Sequence, residues 1–260
     1  MSGRTNEHRE PETLRAWLAR EPFTLSLSSG FFGFFAHAGL LSALEEAGLR
    51  PRAFLGSSAG ALVGACAAAG LEGEAMGAIF AGLRREAFWD PAPGPGLLRG
   101  RRFRAQLEAA LPRATFEACE RPVTLSVYDV LARTTRVRRS GALAPAVHAS
   151  CAVPGMFWPV RLEGRPHLDG GIRDRPGLAG ATSNERILHH HLESRSAWRR
   201  PDDPQRVPPQ RPNLRALVLS DLPRPGPYRL AEGPRAFAVA RERVRRLLDA
   251  PASEGQGVHR

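Results

Sequence analysis

A serine, Ser58, stands at the centre of Gly56-Ser57-Ser58-Ala59-Gly60, between the short apolar run 53–56 and the small-residue stretch Ala59–Ala69. Ester or amide chemistry needs such a serine in a sharp strand-to-helix turn, where only small neighbours let the backbone fold back and expose the hydroxyl. The amides that open the following helix add a positive field beside it, suited to an oxyanionic transition state. The same residues also describe a tight turn before a packed helix with no chemistry at all, because alanine, glycine and serine abound in this chain.

Two further segments bear on that choice. Phe23–Ser28 reads as an apolar strand, Ser28–Gly33 as a loop and Ala36–Ala47 as a helix stopped by Gly48. A glycine-containing strand-to-helix loop exposes backbone N–H groups that hold a phosphate or an acyl-transfer oxyanion. Gly30 and Gly33 do not complete a dinucleotide fingerprint, and no acidic residue follows at the required distance. The second segment is Ala149–Pro159 followed by His167-Leu168-Asp169-Gly170-Gly171. Asp169 sits at a strand end before two glycines, where it either presents a carboxylate to a site or merely organises the turn by an Asx hydrogen bond.

Taken together and in this order, the blocks resemble the patatin-like phospholipase family, in its bacterial, single-domain form, over roughly residues 23 to 176. That family has a glycine-rich oxyanion loop, then G-x-S-x-G, then A-S-x-A-x-P-x-x-F-x-P, then Asp-Gly-Gly or Asp-Gly-Ala. Here these are Ser28–Gly33, Gly56–Gly60, Ala149–Pro159 with Pro154 inside it, and Asp169-Gly170-Gly171. The resemblance implies an α/β, three-layer fold with a largely parallel sheet between helices. It also implies Ser58 as nucleophile and Asp169 as general base, with no histidine and no cofactor. A free aspartate, with a pKa of about 3.9, is a poor base for a hydroxyl, so burial or tight geometry has to make it effective.

The loop departs from the family pattern of three adjacent glycines, one residue, an arginine or lysine, and another glycine. Aligned on Ala36-His37-Ala38-Gly39, only Gly30 keeps its glycine and the basic position has become Gly33. Gly30 and Phe31 are the expected oxyanion donors, although Phe31 reaches positive φ less cheaply than glycine. The phenylalanines at 31, 32, 34 and 35 either line an acyl-chain pocket or form a core cluster.

The other candidates are weaker. His37, His148, His167 and the run His189–His191 sit in no recognisable catalytic motif, and consecutive histidines point different ways, so no metal site is expected. Three separated cysteines argue against a disulfide framework. The polar N-terminus has no signal-peptide core and no run reaches transmembrane length, which reads as a cytoplasmic protein. With 260 residues, 42% of them hydrophobic, one sizeable core is expected. The formal charge of +11 comes from arginine alone, the imprint of a GC-rich genome. It still favours peripheral contact with an anionic membrane, at the inner face, over specific nucleic-acid binding, for which no motif exists. The expected organisation is an N-terminal polar or helical extension over 1–20 and one acyl-hydrolase domain over 21–260. Within it, 91–96 is a loop able to form part of a lid, and 183–212 an extended or mobile surface loop.

The leading function is a lipid acyl hydrolase acting on a lipid or other carboxylic ester. A diverged lipid- or partner-binding protein with little turnover, and a histidine-dependent esterase on another G-x-S-x-G fold, remain beside it. Head group, acyl position and oligomeric state are not written in the sequence.

Overall fold

The computed structural model describes residues 12–193, 202–250 and 258–259. Its centre is a parallel run of strands: β1 (Thr24–Leu27), β2 (Ala53–Ser57), β4 (Val123–Asp129), β9 (Ile187–Leu192), β10 (Leu214–Leu219) and β11 (Val258–His259). They stand in the order β11-β10-β9-β1-β2-β4, all parallel. An antiparallel flank of β8 (Arg165–Asp169) and β7 (Val160–Leu162) continues from β4, and β5 (Thr134–Arg138) pairs with β4 as well. The short strands β3 (Gly96–Leu98) and β6 (Gly155–Phe157) form a separate pair.

One face of the sheet carries helices α1 (Leu14–Arg20), α2 (Phe34–Glu46), α3 (Ala59–Ala68), α4 (Gly73–Ala81) and α8 (Glu232–Asp249), which share a core with Leu25, Leu27, Phe54 and Leu188. α8 reads as an amphipathic helix because Ala236, Phe237, Ala240, Val244 and Leu248 recur at helical spacing and are buried. It lies tightly on α2: a Cβ at Gly39 would come within 2.3 Å of the Phe237 carbonyl oxygen. On the opposite face Leu178 and Ala181 pack on Leu55, Ile187, Leu214 and Ala216, and the 3-10 turn Pro204–Arg206 meets His191 of β9 through the Arg206 carbonyl. The remaining α-helices among the described residues are α5 (Arg85–Phe88), α6 (Arg101–Ala110) and α7 (Leu143–Ser150). Among the described residues no helix is long and apolar enough to cross a membrane.

One expectation needs correction. The segment 183–212 is not one surface loop, because Ile187–Leu192 forms β9, buried throughout and paired on both sides by β1 and β10; the part 194–201 lies outside the described residues. Of the N-terminal extension over 1–20, residues 1–11 lie outside the described residues and the rest carries α1. Leu14, Trp17 and Leu18 of α1 are buried in the main core, and Arg186 lies over the Trp17 ring at 3.7 Å.

β9 places three consecutive histidines in the interior, and partners on both faces of the sheet receive them. His37 of α2 must donate its Nε2–H to the Ser28 carbonyl (2.8 Å), so its Nδ1 accepts from His190 Nδ1–H, also at 2.8 Å. On the other face Ser26 gives its hydroxyl proton to the Pro176 carbonyl, so its oxygen accepts from His189 Nδ1–H at 3.1 Å. Burial keeps these rings neutral: His37 is pulled down to about 4, His148 of α7 to about 3, and His189 and His190 well below the ordinary histidine range. The unfolded chain takes up protons on these rings below about pH 6.5 and the folded one does not, so stability falls as pH drops through that window. Each ring contributes a slope of up to about 1.4 kcal/mol per pH unit. The urea midpoint followed by circular dichroism is therefore expected to fall steeply between about pH 6.5 and 4; a flat midpoint over that range would contradict neutral burial.

Candidate active site

Strand register brings the two candidate catalytic side chains together. Along β4, Ser126 pairs with Ser57 at the end of β2, and the next residue, Val127, pairs with Asp169 at the end of β8. Ser58 and Asp169 thus emerge beside each other at the ends of β2 and β8. Ser58 donates its hydroxyl to Asp169 Oδ2 at 2.6 Å, and both residues are buried. The other carboxylate oxygen, Oδ1, accepts the Gly171 N–H at 2.7 Å, while the Asp169 amide is tied to the Ala152 carbonyl at 2.9 Å. The carboxylate is held in one orientation from both ends.

The backbone at Ser58 has φ 54 and ψ −119, a conformation that costs on the order of 1–3 kcal/mol for a residue with a side chain. The flanking glycines make it attainable. A Cβ at Gly56 would stand 2.5 Å from the Gly60 carbonyl, and a Cβ at Gly60 would stand 2.0 Å from the Leu27 carbonyl of β1. Gly170 has the same role at the aspartate, its missing Cβ leaving room for the Ser126 carbonyl at 2.1 Å. A residue whose role the sequence reading missed completes the elbow. Ser150, at the end of α7, accepts the Ser58 N–H at 3.0 Å and passes its own proton to the Ser126 carbonyl at 2.7 Å. The motif printed Ser150; its bond to the elbow depends on the fold. Pro154 stands in the turn between α7 and β6.

The loop after β1 is clamped at its base. Ser28 donates its amide to the His190 carbonyl, and its hydroxyl oxygen accepts the Leu192 N–H; the Ser29 amide binds the Arg175 carbonyl. Gly33 N–H closes a turn on Gly30 O at 2.9 Å. Positive φ falls on Phe32 (φ 55), not on Phe31, so the residue expected to donate to an oxyanion carries no backbone strain. The amides of Gly30 and Phe31 donate to no acceptor among the described residues. Gly30 and Gly33 make room for the Leu192 side chain, whose Cδ1 would lie 2.6 and 2.2 Å from a Cβ at each.

Ser58, Gly30 and Phe31 border a cavity of about 390 Å³ with apolar walls that include Leu62, Met76, Phe80 and Leu107. The phenylalanine alternatives divide: Phe31, Phe32 and Phe34 line this cavity, whereas Phe35 is a core residue beneath Gly233. The outer wall comes from α4, α5 and α6 and not from 91–96, which is pinned elsewhere through the Pro91–Leu98 bridge and the Trp158 Nε1–H bond to the Gly96 carbonyl. Cys66 and Cys151 also border the cavity, and burial pushes their thiols up, Cys66 to about 12, so neither offers a thiolate. Among the described residues no histidine bonds Ser58. His167 binds the Arg165 carbonyl, and His148 packs between Phe103 and Phe157, which counts against the histidine-dependent esterase.

The elbow's steric basis makes a sharp contrast within α3. Gly60→Ala is expected to abolish soluble folded protein, because its methyl group meets main chain that cannot move aside. Gly64→Ala, whose Cβ would find only ordinary contact with Phe54 at 3.4 Å, is expected to fold and to gain up to about 1 kcal/mol from helix propensity. Expression yield and thermal melts of the two variants check this.

A family profile described as patatin-like phospholipase matches residues 25–182. An uncharacterised NTE family protein of Mycobacterium tuberculosis is 32% identical over 168 residues, 63% of this chain and 47% of its own length. A second from the same organism is 30% identical over 142 residues, 53% of this chain and 24% of its own. The chain thus spans half or less of the length of these curated relatives. Among solved structures, VipD from Legionella pneumophila superposes with a TM-score of 0.56 at 16% identity, covering 89% of this chain and 67% of that one. The chain belongs to the patatin-like phospholipase family.

Proposed function

We propose that the protein is a serine carboxylic-ester hydrolase that releases an acyl chain from a lipid ester, with Ser58 as nucleophile and Asp169 as general base. The observation that carries this reading is the 2.6 Å bond from the Ser58 hydroxyl to Asp169 at the edge of an apolar cavity. As Ser58 attacks the ester carbonyl, its proton passes to Asp169 Oδ2, and the Gly171 N–H keeps that carboxylate aimed. The carbonyl oxygen, gaining charge, turns to the amides of Gly30 and Phe31. The protonated Asp169 then gives its proton to the departing alcohol. Water, deprotonated by the same carboxylate, releases the acid from the acyl-enzyme.

The cavity takes the acyl chain. Each methylene transferred from water is worth about 0.8 kcal/mol, so kcat/KM for soluble p-nitrophenyl esters should rise about fourfold per added methylene until the cavity is full. Ser58→Ala and Asp169→Asn are each expected to lower the rate by at least about 10²-fold with the fold intact. A fluorophosphonate probe should label the wild type at Ser58 and leave Ser58→Ala unlabelled. Hydrolysis that survives both substitutions would sink the assignment. The second reading, a lipid- or partner-binding protein with little turnover, is favoured by one observation: the loop carries phenylalanines and Gly33 where the family pattern has glycines and a base. A folded wild type that neither labels nor hydrolyses would support it.

A further inference from the structure

Large apolar side chains stand open to solvent around the cavity. Phe31 is 56% exposed and Ile79 45%, and both border the cavity that holds Ser58. Tyr228, 73% exposed, shares with Phe31 the border of a second recess on the other side of the same loop. The Tyr228 ring meets Trp89 edge-on with centroids 5.8 Å apart, and the Arg85 guanidinium lies 5.1 Å from the Tyr228 ring and 5.7 Å from Trp89. Arg84, beside it, is exposed and is the only charged side chain bordering the cavity among the described residues.

A single exposed apolar residue means little, but a group of them around an apolar cavity marks a surface that leaves water in use. The chemistry of this group narrows the partner. Tyrosine and tryptophan rings settle in the headgroup layer of a bilayer, and guanidinium groups pair with lipid phosphates. Around the two openings Arg84, Arg85, Arg224 and Arg229 outnumber Glu86, Glu193 and Asp221, so the face is net positive. A lipid acyl chain is also the occupant for which the cavity walls are suited, and a bilayer seated here would deliver it without passage through water.

We propose that this face docks on an anionic lipid bilayer, with Phe31, Ile79 and Tyr228 entering the headgroup layer and Arg84 and Arg85 meeting lipid phosphates. The use made of the cavity rests on the ester-hydrolase reading; the docking itself needs no turnover.

The test is co-sedimentation of Ser58→Ala protein, which leaves lipids intact, with vesicles of phosphatidylcholine alone or with added phosphatidylglycerol. Binding to the anionic vesicles is expected, several-fold weaker on phosphatidylcholine and weakened by salt. Each basic contact at a membrane surface is worth about 1 kcal/mol, so the Arg85→Gln, Tyr228→Ser double variant should lose at least about fivefold in binding. Ile79→Asp should lose it too. In the Ser58→Ala background the double variant must melt like its parent, and with Ser58 restored it should hydrolyse a soluble short-chain ester within about twofold of wild type, since neither residue lines the cavity or touches Ser58 or Asp169. Equal binding to both vesicles, or full binding by both variants, overturns the docking. So does a homodimer through this face, seen in light scattering and lost in the double variant while vesicles capture nothing. Soluble-ester hydrolysis without vesicle binding overturns the docking and spares the hydrolase reading; vesicle binding without hydrolysis does the reverse.

Discussion

The approach of Gly60 to the Leu27 carbonyl, with no space for even one carbon between them, is the contact on which the site depends. It lets the first turn of α3 sit directly against the end of β1, and so brings the loop that follows β1 beside the turn that holds Ser58. Gly56 beneath that turn and Gly170 against β4 repeat the device, so that three strand ends and one helix meet by main-chain contact. Side chains would separate these backbones. With them separated, neither the hydrogen bond from Ser58 to Asp169 nor the proximity of the Gly30 and Phe31 amides would survive. The glycines of the motifs are thus spacers of zero thickness, and their energetic counterpart is the positive φ that Ser58 carries between them.

A second layer of constraint runs through polar groups. Ser150 joins the Ser58 amide to β4, and His37 and His190 join the oxyanion-side loop to the sheet through Ser28. Beneath Asp169, Asp174 accepts the Ser126 hydroxyl at 2.5 Å and the Leu178 and Ala179 amides, fastening the turn after β8 to the same strand that carries the register. Hydrogen bonds inside a dry interior hold direction as well as position. That stiffness holds the Ser58 hydroxyl and the Asp169 carboxylate in one mutual orientation.

How much of this could be read from residues alone follows from what each element depends on. β1, β2, α2 and α3 were legible because their apolar spacing and glycine stops act locally. The pairing of Ser58 with Asp169 was legible because the motifs around them record steric necessity: glycine where backbones touch, aspartate before a Gly-Gly turn. β9 was not, since Ile187-Leu188-His189-His190-His191-Leu192 lies in a segment rich in arginine, proline and glutamine, and its burial is made possible by Ser26 and His37, far off in sequence. α7 escaped because Pro145 in its first turn reads as a breaker although a first turn tolerates it. β3 and β6, three residues each, hold too little pattern to notice. The positive φ at Phe32 was unreadable for a different reason: which residue of a turn takes the strained conformation is decided by what the turn must span.

The place of β9 in the sheet also bears on how the chain is made. β1 leaves the ribosome well before β9 and finds β2 soon after, but its other edge is matched, among the described residues, by Ile187–His190. Until that part of the chain has been synthesised, β1 offers a row of unpaired amides and carbonyls, flanked by an apolar surface, to any neighbouring chain. The nascent protein therefore passes through a long stretch of translation with its central seam open, and its yield in the cell is governed by how well that seam is shielded as well as by the stability of the finished fold.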